Sequence, residues 1–306
     1  AFPRFRRALD ERQGQRIDID YLLIAPFKLF QDRNWRRKVI AATEPLPFRN
    51  LWLRIGDFGA GEERRVPELI DIMNEFHGLG RPIVLDMAGG LAGVAMLAAG
   101  GANAIAHGAG SQEKCDLKTW LKEPKKGGGG GRDKTAYFPA LYKNLSVDQW
   151  NDIFSNEDIP KHFSCTSSGC CETDESVFND TIGHFMRQRA FQIQEITTRS
   201  SEYFEKSYLR KLAARAAGLK DLAFKDPDIS KAAVEFGKKT QRLGEDLAKR
   251  QLCGLRPAPE HRALPGREKD SFLHPQLYRP PRARRPKSEK PAKPPTPPCP
   301  DTPDLL

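Results

Sequence analysis

"RPIVLDMAGGLAGVAMLAAGGANAIAHGAG" (residues 81–110) decides the fold. Two short aliphatic runs, "IVLD" and "NAIAH", flank an alanine-rich stretch, residues 91–99, that stops at Gly100-Gly101. Aliphatic runs without polar alternation are the mark of parallel strands buried on both faces, and the stretch between them reads as a buried helix. The same unit recurs upstream. "RNLWLRIGDFGAG" (49–61) is a strand broken by Gly56, Gly59 and Gly61. Pro67 then stands in a first helical turn, Leu69, Ile70, Met73 and Phe76 recur at helical spacing, and Gly78 closes the helix. "IDYLLIAP" (19–26) is an earlier strand closed by Pro26. Strand starts near residues 51, 82 and 103, separated by helices, predict a parallel sheet with right-handed crossovers, covered on both faces.

Downstream the pattern changes. Gly127 to Gly131 lie in a glycine-rich segment, residues 122–135, which reads as a mobile surface loop, since no GK[ST] follows to make it a phosphate cradle. Ser146 and Gln149 are spaced as a capping box, and "KHFSC" (161–165) reads as another short strand. From Asp174 to about Ala217 the periodicity is helical, with Phe178, Ile182, Phe185, Ile193 and Ile196 on one apolar face. A charged helix starting after Asp228 shows a thin stripe of Phe236, Leu243 and Leu247. After Cys253 the chain holds 14 of its 24 prolines and cannot bury enough apolar area to fold.

The alternation over roughly residues 17–200 resembles a (β/α)8 barrel, on architecture alone and without the motif of any specific family. Five strands are legible (19–26, 51–57, 82–86, 103–107 and 162–165) where a closed barrel needs eight. The expected fold class is therefore α/β: parallel strands alternating with helices in a partial or complete barrel, then long helices and a disordered proline-rich tail. The opening on Ala1 rather than Met fits a barrel lacking N-terminal strands; a smaller open sheet is the alternative. The expected division is an α/β domain over 1–200, a helical extension over 201–253 and the tail over 254–306.

Composition narrows the class. The 306 residues carry a net charge of +10, and residues 254–306 hold 11 Lys/Arg against 6 Asp/Glu. That basic, proline-rich tail is suited to nucleic acid or to a proline-reading protein. No run of about 18 apolar residues exists, so no membrane span is expected. "AFPRFRRALDERQGQR" lacks the apolar centre of a signal peptide, and six irregularly spaced cysteines fit a reducing cytoplasm.

Parallel strands share one C-terminal edge, and ligands of such sheets bind in the loops there. Asp57, Asp86 and His107 each end a strand, with glycines after them that leave room for a ligand. They form the expected catalytic group for a small, anionic substrate, by acid–base or divalent-metal-assisted chemistry. Ser111 and Lys114, in the turn after His107, are the expected anion ligands. Arg54, at odd separation from Asp57, faces the other side of its strand and is expected to pair with a helix residue. The candidate metal ligands are His162, Cys165, Cys170 and Cys171. With His184 they are enough soft ligands for tetrahedral zinc, but their spacing is not that of a zinc knuckle, adjacent cysteines suit one ion poorly, and His184, beside Phe185, reads more simply as a core or surface histidine. The alternative to an enzyme is a non-catalytic protein that binds a partner through its helices and tail.

Overall fold

Four parallel strands form the predicted sheet: β1 (Tyr21–Pro26), β2 (Leu51–Gly56), β3 (Ile83–Asp86) and β4 (Ala104–Ala106), neighbours in chain order. The structure, a computed structural model, describes residues 2–14, 16–108, 113–117, 122, 134–160, 163–165, 170–171 and 173–250. Residues 1–261 cluster as one unit and 262–306 as another, and every described residue belongs to the first. The Gly127–Gly131 run, Ser111, His162 and the tail over 254–306 lie outside the described residues.

Side chains alternate along a strand, and the register sorts them into two faces. Leu23, Leu53, Leu85 and Ile105 stand in one row across the sheet. Leu53 and Leu85 in that row are fully buried, in one core with Leu69, Ile70, Met73 and Phe76 of α4 (Val66–His77) and with Leu91, Val94 and Ala95 of α5 (Gly90–Ala98). The opposite face carries the rows Leu22, Trp52, Val84, Ala104 and Ile24, Arg54, Asp86, Ala106. Its β1 end is open: Leu22 is 46% and Ile24 43% exposed. Among the described residues, the expectation that helices cover both faces is therefore not met at β1. Consecutive right-handed crossovers deliver each helix to the same side of the sheet, so a sheet ordered 1-2-3-4 has one helical face.

The described residues give half of a barrel's eight strands, and the further strands do not extend the sheet. β5 (Thr135–Phe138) and β6 (Lys143–Ser146) form a separate antiparallel pair. Phe163–Cys165 is not a strand either; the Phe163 N–H donates to Pro160 O at 2.9 Å, closing a turn.

Chain ends and helix boundaries follow their caps. α1 (Phe2–Glu11) lays Phe2 edge-on against Tyr21 of β1, ring centroids 5.8 Å apart. α2 (Phe27–Gln31) and α3 (Arg33–Thr43) meet at Asp32, whose carboxylate accepts from the Asn34 and Trp35 amides. Of the basic residues beside Trp35 (Arg33, Arg36, Arg37 and Lys38), Arg36 is buried and bonds Glu75 and the Phe30 carbonyl. α6 (Val147–Phe154) starts with the predicted capping box. The long helical pattern from Asp174 is broken. α7 (Thr181–Thr197) ends before Ser200, whose hydroxyl caps α8 (Ser201–Tyr203). A π turn (Phe204–Tyr208) follows, then α9 (Leu209–Lys220). α10 (Pro227–Lys249) begins earlier than expected because the Asp226 carboxylate accepts from the Asp228 amide at 2.8 Å. Its stripe, Phe236, Leu243 and Leu247, joins the common core, and Arg250 just past it donates to Pro67 O at 2.7 Å. No described helix is long and apolar enough to cross a membrane.

Candidate functional site

β2, β3 and β4 run the same way, so Asp57, Asp86 and His107 do stand at one edge of the sheet, each already engaged. Asp86 shares a register position with Arg54, and its carboxylate takes the Arg54 Nε at 2.7 Å as well as an Nη. Arg54 therefore pairs with the neighbouring strand, not with a helix as expected. Removing the charge of this half-buried pair should weaken the fold. Asp86→Asn is expected to lose about 1.5–3 kcal/mol, the range for hydrogen bonds to charged groups, read as a lower denaturation midpoint.

Asp57 adopts φ +63, its N–H donates to Cys115 O at 2.8 Å, and its carbonyl accepts from Arg65 Nη1 at 2.7 Å. Asp57 and Asp86 both act on the buried Cys115 thiol, which burial pushes up. His107, half-buried, sets its ring edge-on to Phe185 at 5.5 Å and feels the charges of Arg189 and Glu113. Lys114 is 2.6 Å from the Glu62 carboxylate. Gly59 and Gly89 do not leave the room that the sequence suggests, whereas Gly61 opens on free space. A Cβ on Gly59 (φ +137) would lie 2.3 Å from Glu113 O, and one on Gly89 would lie 2.4 Å from Glu113 Cβ. The space serves the chain's own segment 113–117.

Burial lowers the pKa of His107, and likewise that of His77, whose Nε2 lies 3.0 Å from Gly100 O. A histidine depressed in the folded state adds stability that is complete above its unfolded value, about 6.5, and fades as pH falls below it. Melting temperature should therefore drop from pH 7 to pH 5, with a shallower slope in His107→Gln.

Glu113 is the residue around which this edge is built, and its sequence context gave no sign of it. Its Oε1 accepts the Gly90 N–H at 2.9 Å, at the N-terminus of α5, and receives Arg189 Nη2 at 2.5 Å. Its backbone carbonyl takes the amides of Ala60 and Gly89. Arg189, 3% exposed, packs its guanidinium 5.1 to 5.4 Å from the rings of Tyr142, Tyr137 and Phe185 and donates to Gln192 at 3.0 Å. Burial opposes its charge, but the Glu113 carboxylate paired with it more than restores it. Tyr137 itself, fully enclosed, is pushed up to about 12 by that burial and stays neutral.

The same helix carries a second cluster on its adjoining face. Asp180 caps α7 by accepting the Gly183 amide at 2.9 Å, which sets His184 in the first turn. One donor atom from each of Cys165, Cys170, Cys171 and His184 lies within 4.8 Å of all the others. The Cys170 and Cys171 sulfurs are 3.7 Å apart, and they lie 3.4 and 3.3 Å from His184 Nδ1. Tetrahedral zinc, with bonds of about 2.3 Å to sulfur and about 2.0 Å to nitrogen, spaces its ligands about 3.8 and 3.5 Å apart. The adjacent cysteines do converge. His184 Nε2 stands 2.8 Å from Tyr137 O, the outer hydrogen bond that fixes a ligating imidazole's tautomer. Gln188, one turn on, donates to the Cys165 sulfur at 3.2 Å.

The four groups share protons. Hydrogen bonds with Cys165 and Cys171 hold the Cys170 thiol far below its ordinary value. Burial would lower the His184 pKa, but bonds with the Cys165 and Cys170 sulfurs outweigh it and push it up to about 9. No family model matches this chain, nor does any curated protein or solved structure match it significantly.

Proposed function

We propose that this is a zinc-binding protein in which Cys165, Cys170, Cys171 and His184 ligate one tetrahedral ion. The observation that carries this reading is the convergence of three sulfurs and one imidazole nitrogen at ligand spacing, with the imidazole's far nitrogen anchored on Tyr137 O. Three thiolates favour a soft, tetrahedral ion over magnesium or calcium. Four protein ligands leave no position for water or substrate, so the ion is structural rather than catalytic. Its task is to pin the first turn of α7 to β5 and to the segment bearing the cysteines. Phe185, Arg189 and Gln192, on the same helix, are thereby held against the strand edge. The protein purified without chelator should carry close to one zinc per chain by elemental analysis, and His184→Ala should lose most of it. Cobalt in place of zinc should give the absorption bands of tetrahedral thiolate ligation. A wild-type chain that purifies and folds without a transition metal would overturn the reading.

A further inference from the structure

A cavity of about 240 Å³ lies where the loops after β2 and β3 meet α10 and the β5–β6 hairpin. Its inner wall holds Glu63, 6% exposed, in the short helical turn that precedes α4. One carboxylate oxygen accepts the Gly61 N–H at 3.2 Å; the other is buried without a hydrogen-bond partner among the described residues. Glu63 also borders a second space of about 180 Å³, and both spaces share Lys239. A buried carboxylate left half-satisfied costs free energy that a donor brought by a ligand would recover. At the mouth stand the exposed Lys143, Lys239 and Glu235, and among the described residues neither lysine forms an ion pair. Leu91, Leu141 and Phe236 give the cavity an apolar wall between these polar ends.

We propose that this cavity binds a small zwitterionic metabolite, its ammonium group on Glu63, its short alkyl spacer on Leu91 and Phe236, and its anionic group toward Lys143 and Lys239. The position agrees with the general location of ligands in parallel α/β sheets, outside the carboxyl ends of the strands. The charges explain why exposed lysines and a buried acid occur in one hollow: each serves one end of the same molecule. An ammonium that reaches Glu63 forms a charge-assisted hydrogen bond in a water-poor setting, the stronger class of such bonds. This site is independent of the zinc centre, and its occupancy does not rest on the metal reading.

The test uses the full chain and three probes followed by saturation-transfer NMR: γ-aminobutyrate, butylamine and butyrate. γ-Aminobutyrate should bind in the millimolar range and at least fivefold tighter than either single-charge probe. Glu63→Gln should weaken γ-aminobutyrate and butylamine about tenfold, near 1.4 kcal/mol, and leave butyrate unchanged. Lys239→Met, at an exposed position that does not threaten folding, should weaken γ-aminobutyrate and butyrate but not butylamine. Absence of transfer to γ-aminobutyrate from the folded wild-type chain overturns the proposal. So does equal affinity in both variants.

Discussion

With zinc bound as proposed, stripping it from the folded protein with a strong chelator is expected to lower the melting temperature by about 8–16 °C. An ion held at a free concentration a thousandfold above its dissociation constant stabilises the folded state by about 4 kcal/mol. For a domain of this size each kcal/mol moves the midpoint by about 2–4 °C. The loss should also be local. Without the ion, three cysteines and one imidazole share protons in a half-buried cluster, and the first turn of α7 keeps its Asp180 cap, the Tyr137 carbonyl and the ring contacts of Phe185 but loses its tie to the cysteines. Amide exchange should rise first between His184 and Gln192 and reach the wild-type pattern again when zinc is added back. Cys171→Ser should reproduce the chelated state and no longer respond to zinc.

Glu113→Ala should cost about 3–5 kcal/mol, since removing one partner of a buried ion pair leaves the other charge unpaired. Here that charge is the Arg189 guanidinium, enclosed by three aromatic rings, and the Gly90 amide loses its acceptor as well. The sign of the double variant is diagnostic. Glu113→Leu combined with Arg189→Met replaces the pair by apolar groups of similar size, which often costs little or even stabilises. Urea denaturation of the two single variants and the double should therefore show the double losing far less than the sum of the singles. If the double loses as much as the sum of the singles, the pair does not act as a unit.

The parallel sheet could be read in the sequence because "IVLD" is continuous, its Ile83, Val84 and Leu85 all buried, and because strand and helix patterns alternate along the chain. The β5–β6 hairpin could not. Its strands are four residues each, and Ala136, Tyr137 and Phe138 are all buried, which removes the alternation that marks an antiparallel pair. The strand-end positions of Asp57, Asp86 and His107 were legible, but their partners were not: Arg54 meets Asp86 only through strand register. Glu113 and Arg189 are 76 residues apart, so no local pattern joins them. Three of the four proposed metal ligands stood in plain view as cysteines. Missing were the turn that lets Cys170 and Cys171 point the same way and the helix cap that brings His184 to them, both properties of loop geometry rather than of spacing.

X-ray absorption at the zinc edge of the purified full-length protein tests the central claim most directly, because it reports the ion and its neighbours without any substitution. The four converging groups predict a shell of three sulfurs at about 2.3 Å and one imidazole nitrogen at about 2.0 Å. A shell of oxygen and nitrogen alone would contradict the zinc centre and the role assigned to α7.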